Sequence, residues 1–203
     1  MGVEKKRIGW VITDQLDTMR VLPRIDTSLG GVALSRFHWV AARTNNNSRN
    51  EFHHEFYRPW KRYDGLIFLK AMGQRALALA ERYLGKGKPI IFDANVNYYT
   101  IGGPEYYEGM MPTVIERRDA IQITQMASAI IADSEYIADK CKVHNDQVIW
   151  IPDNVEMEWV PMLEGRMTAD RLRLAWSGAA IKLFELLAIE EPLRRLAGRV
   201  DLV

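Results

Sequence analysis

Cysteine is almost missing from this sequence: Cys141 is the single one in 203 residues. A lone thiol excludes an intramolecular disulfide and a cysteine-based zinc site, fits a reducing compartment, and reads as a buried helix residue. Long apolar runs are missing too. The stretch from Ile8 to Ile12 meets Thr13-Asp14 too early for a signal peptide, and nothing elsewhere approaches the ~20 residues of a membrane span, so the reading is a soluble, cytoplasmic protein. Nor is there an excess of charge of one sign, with 27 lysines and arginines against 26 acidic residues. That balance gives no support to nucleic acid or another polyanion as a partner. Absent motifs narrow the chemistry further. Without HExxH, a Walker loop, GxSxG or CxxC, the zinc-peptidase, nucleoside-triphosphatase, esterase and thiol-redox readings lose their basis, and the lack of a strict GxGxxG weakens a dinucleotide oxidoreductase.

What is present is ordinary globular material, 48% hydrophobic and 26% charged, enough to bury a core. Short apolar runs alternate with helical patterns, the signature of a parallel sheet covered on both faces. The runs predict strands at Ile8–Thr13, Gly65–Lys70, Pro89–Asp93, Ala129–Ala132, Gln147–Ile151 and Leu172–Ser177. Between the second and third, Ala76, Leu77, Leu79, Ala80 and Tyr83 recur at helical spacing from Gly73 to Tyr83, and Gly85-Lys86-Gly87 supplies a stop. Thr113 and Glu116 form a capping box that opens a helix to about Met126. Asp133-Ser134-Glu135 starts another, which carries Ile137, Ala138 and Cys141.

After the breaker cluster Pro152-Asp153-Asn154, residues 155–171 read as an interdomain linker following a first domain over 1–154. Leu172–Ser177, a helix from about Ala180 to Leu196, and Val200–Val203 then predict the opening β-α-β of a second, incomplete domain over 172–203. The fold class expected is α/β, a doubly wound parallel sheet plus the start of another.

In such a sheet ligands lie beyond the carboxyl ends of the strands. Four places qualify. Gly30-Gly31, after the first strand, is either a flexible turn or a close backbone approach to phosphate. Asp93, Asn95, Asn97 and Tyr98 end the third strand with groups suited to hydroxyl-rich ligands, or with an Asx-turn and packed tyrosines. Ser134 heads a helix at the same edge, as ligand contact or simple cap. Gly178 and Lys182 form a strand-turn-helix with a lysine one turn in, a diphosphate site or a solvated side chain. The adjacent histidines of His53-His54-Glu55 diverge, so they make no chelate.

The ordered succession "LIFLK", a helix, "GKPIIFDANVNYY", "ASAIIADSEYIADKCKVHNDQVIWIPDNVE" and "LRLAWSGAAIKLFELL" resembles the retaining nucleotide-sugar glycosyltransferases of the family-four type, from roughly Arg7 to the C-terminus. The resemblance implies a Rossmann-like N-terminal acceptor domain of the GT-B, glycogen-phosphorylase-like architecture. It implies hexosyl transfer from a nucleotide-diphosphate donor to a glycan or other hydroxyl acceptor, with retention and without metal or cofactor, in surface-glycan or polysaccharide biosynthesis and with peripheral membrane association. Carried over, Gly30, Gly31, Gly178 and Lys182 bind the donor diphosphate, while Asp93, Asn95, Asn97, Tyr98 and Ser134 face acceptor or sugar. Three departures stand out: Asn95 where relatives carry histidine, Asp153-Asn154 where they carry asparagine-glycine, and Ala179 where a basic residue is common. The downstream glutamates of the family fall beyond Val203, so the chain as given reads as an inactive fragment. The alternatives are a noncatalytic glycan- or protein-binding module derived from such a domain, and a different Rossmann-like enzyme.

Overall fold

A computed structural model describes residues 5–12, 31–47, 49–101, 111–152, 171–176 and 186–202. The chain divides into two compact units, Met1–Asn154 and Val155–Val203.

In the first unit the elements run β1 (Lys6–Ile12), α1 (Gly31–Asn45), β2 (Phe52–Phe56), β3 (Gly65–Leu69), α2 (Gln74–Leu84), β4 (Ile90–Ala94), α3 (Val114–Met126), β5 (Ala129–Ala132), α4 (Glu135–Lys142) and β6 (Val148–Trp150). The six strands form one sheet in the order β2-β1-β3-β4-β5-β6, and every neighbouring pair is parallel. The expected α/β class and parallel sheet are present, in a Rossmann-like arrangement of sheet and flanking helices.

Alternation along the strands sorts side chains onto two faces. Leu66, Phe68, Phe92, Ala94, Ile130 and Ala132 join the large core with α2, α3 and α4. Ile67, Leu69, Ile91 and Trp10 turn to the opposite face, where Phe37 and Val40 of α1 meet them. Strand β3 is buried throughout, which is why its sequence is an unbroken apolar run. At Gly9 the sheet admits no side chain, because a Cβ would lie 2.9 Å from Leu66 Cδ2 and 3.0 Å from Tyr63 Cδ1.

The helix signals work as the sequence implies. Thr113 Oγ1 accepts from Glu116 N at 3.1 Å, and the Glu116 carboxylate returns a bond to Thr113 N at 2.8 Å. Helix α2 stops at Gly85, and Gly87 takes a left-handed φ of 68° that a side chain would resist. Cys141 is fully buried in α4.

Two elements differ from the sequence expectation: neither α1 nor β2 was predicted. β2 is an edge strand, Phe-His-His-Glu-Phe, with no fully buried residue, so it shows no apolar run. Asn45 secures it by clasping His54 with both amide atoms, accepting from His54 N and donating to His54 O, each at 2.7 Å.

In the second unit β7 (Leu172–Leu174) pairs in parallel with β8 (Val200–Leu202), and α5 (Glu190–Leu196) precedes β8. The helix expected from Ala180 is described only from a 3-10 turn at 186–189 onward, and its earlier part lies outside the described residues. No residue of α5 is buried; Glu190–Arg194 and Glu191–Arg195 pairs lie along its exposed surface.

Candidate functional site at the carboxyl edge of the sheet

In the first unit the connections after β1, β3, β4, β5 and β6 leave from one edge of the parallel sheet, and α1, α3 and α4 begin there. The order reverses between β1 and β3, since the chain passes outward to β2 on one side and to β4 on the other. Such a switch point is where open α/β sheets accept ligands.

β4 delivers the densest polar group to this edge. Asp93 is 1% exposed and faces α1, because alternation sends Phe92 and Ala94 to the other core. Burying a carboxylate demands a partner. Arg36, in the second turn of α1, supplies it: Nη1 donates to Asp93 Oδ1 at 2.7 Å while Nη2 donates to the Ile151 carbonyl at 2.9 Å. One guanidinium thus ties α1 to the ends of β4 and β6. Asp93 is committed to this pair, which sets the turn that follows it.

Asn95 comes next, 7% exposed, and its Oδ1 accepts no hydrogen bond. A buried carbonyl oxygen without a donor is costly, and this one lies at the edge where a ligand can supply the proton. The Ala94–Ala132 register sets Asn95 beside Asp133 on the neighbouring strand end. Asn97 is half-buried and makes an Asx-turn, its Oδ1 accepting from Tyr99 N at 3.0 Å and Thr100 N at 3.3 Å, with Nδ2 donating to the Tyr136 hydroxyl at 3.3 Å. Tyr98 is 9% exposed, its ring 6.4 Å from Phe92 in the core. Burial, with the charges of Glu116, Asp93 and Asp133 in reach, pushes its hydroxyl well above the ordinary tyrosine range, so it stays protonated and able to donate. Ser134 caps α4, Oγ accepting from Ile137 N at 3.3 Å.

The sequence thus led to Asp93, Asn95, Asn97, Tyr98 and Ser134, and these five lie on the ends of two adjacent strands, with Asn97 and Ser134 engaged in local turn and cap bonds. Gly31 is the first residue of α1, while Gly30, Gly178 and Lys182 lie outside the described residues. Sequence reasoning missed Arg36, and Lys70 entered it only as the last residue of the Gly65–Lys70 strand. Lys70, half-buried at the end of β3, has φ of 56°, an unusual backbone for a residue other than glycine or asparagine. For Arg36 the available signal was the recurrence of Phe37, Val40, Ala41 and Thr44 at helical spacing, which makes α1 legible and sets Arg36 near its start. Among the described residues no group of three or more histidine, cysteine or acidic side chains is arranged to hold a metal ion. No family model matches this chain, and no curated protein matches it.

Proposed function

We propose that this chain carries the acceptor-side domain of a retaining nucleotide-sugar glycosyltransferase of GT-B architecture, working on a glycan or other hydroxyl acceptor in surface-glycan synthesis. The observation that carries the reading is Asn95 Oδ1, an unpartnered acceptor at the ligand edge of a parallel sheet. It suits a sugar hydroxyl, which brings the missing proton. Gly31 at the start of α1 supports the other half of the reading, since backbone N–H groups and the positive helix end favour a phosphate. The resemblance assigns Gly30, Gly178 and Lys182 to the donor diphosphate, and charge developing on that leaving group is what such residues neutralise without a metal. Arg36 and Asp93 hold the sugar-facing turn in position.

The test is binding of a panel of nucleoside-diphosphate sugars and free oligosaccharides to the chain, read by saturation-transfer NMR beside thermal unfolding. Asn95→Ala is expected to weaken sugar binding about tenfold while raising the midpoint by roughly 2 °C, because it removes an unsatisfied buried acceptor. Failure of every compound to bind the unaltered chain overturns the reading, as does an Asn95→Ala variant that loses stability with affinity unchanged.

A further inference from the structure

The connection from β2 to β3 has only eight residues, 57–64, and contains the most exposed tryptophan among the described residues. Trp60 is 62% exposed. Lys61 N donates to the Arg58 carbonyl at 3.0 Å, closing a β-turn with Pro59 and Trp60 at its tip. The turn is pinned from below. Tyr63 is 1% exposed, its hydroxyl accepts from Arg58 N at 3.0 Å and donates to the Phe56 carbonyl at 3.2 Å, and Asp64 N donates to Arg7 O at 2.8 Å. Proline fixes φ at the tip as well. The indole is therefore presented to solvent by a rigid frame, with little ordering entropy left to lose on binding.

Its neighbours are cationic. The side chains of Arg58 and Arg62 make no ion pair or hydrogen bond among the described residues, while Lys61 pairs with Glu55. Arg82 lies against Tyr57, its Nη2 3.4 Å from the hydroxyl, and Lys88 Nζ donates to the Tyr63 carbonyl. Around the turn, cations outnumber the two acids Glu55 and Asp64. A tryptophan beside arginines and lysines matches the boundary between headgroups and acyl chains of an anionic bilayer, where the indole body is apolar, its N–H stays wet and the cations meet lipid phosphate. Single-stranded nucleic acid fits less well, since it needs successive aromatic platforms along a basic groove and this turn offers one ring.

We propose that the Arg58–Arg62 turn is a docking point for an anionic membrane surface, with Trp60 entering the interface and Arg58 and Arg62 facing lipid phosphate. The proposal is independent of the carboxyl-edge chemistry. The test is co-sedimentation of the full chain with vesicles of mixed phosphatidylcholine and phosphatidylglycerol, with phosphatidylcholine alone as control and a single-stranded oligonucleotide as competitor. Binding is expected to the mixed vesicles only and to weaken with salt. Trp60→Ala should reduce partitioning about tenfold and Arg58→Ala with Arg62→Ala roughly thirtyfold. Circular dichroism verifies that the variants fold. Equal binding to neutral vesicles, partitioning unchanged by Trp60→Ala, displacement by the oligonucleotide, or no binding to either vesicle would each overturn it.

Discussion

Two side chains show how burial sets chemistry residue by residue. Arg36 and Asp93 are 57 positions apart, and neither is comfortable at its depth without the other. Arg36→Ala removes the guanidinium donor from the buried Asp93 carboxylate, at an expected cost of about 3–5 kcal/mol, whereas the double variant with Asp93→Asn should recover part of that loss. Chemical denaturation of the three variants measures it; strict additivity would mean that the pair carries no coupling. His54 makes a pH prediction. Its Nδ1 accepts from Trp10 Nε1 at 2.9 Å, which requires an unprotonated nitrogen, and burial followed by the charge of His53 lowers its pKa to about 4. The unfolded chain binds this proton near the ordinary value of ~6.5 while the folded chain refuses it, so the contribution is complete above that pH and is lost as pH falls toward 4. With solvent screening of a half-buried ring, the loss should be about 1–2 kcal/mol. Urea midpoints from pH 7 to pH 4 are expected to fall more steeply for the natural chain than for His54→Asn, which keeps a side-chain acceptor without a titrating ring.

Local signals and tertiary demands coincide in some secondary-structure elements and part company in others. α3 begins where its capping box says, and Thr113→Ala should cost about 1 kcal/mol by removing the hydroxyl that accepts from Glu116 N and donates to the Glu116 carboxylate. A change below a few tenths of a kcal/mol in denaturation would show that flanking contacts hold the helix start without the cap. β3, β4 and β5 were readable as apolar runs because both faces are covered. β2 was not, because an edge strand has one neighbour and this one is held by Asn45, by the Trp10–His54 bond and by the Arg7–Glu55 pair, none of which has a periodic signature. Within the candidate site the same division holds. The polar run after β4 marks itself in sequence, yet only packing distinguishes Asn97, satisfied by its own turn, from Asn95, whose oxygen is left over.

At the scale of the whole molecule, both apolar clusters found among the described residues belong to the first unit. Residues 1–154 alone are therefore expected to unfold in one cooperative transition within a few degrees of the complete chain, as a domain with its own core should. A broad transition without a baseline, seen by circular dichroism, would mean that the remaining residues are needed to complete the core. The sequence by itself determined the α/β class, the buried central strands, the cap and stop of the helices and the edge at which polar residues gather, since apolar period, capping and turn chemistry act over a few neighbouring positions. Only the tertiary structure decided that α1 lies across the face of β1 and β3, that Arg36 reaches Asp93 and Ile151, that β2 adds to the edge, and that one amide oxygen of several is unpartnered. Those outcomes depend on which distant groups share a buried space, and desolvation there, rather than local preference, decides which polar atoms must find a partner.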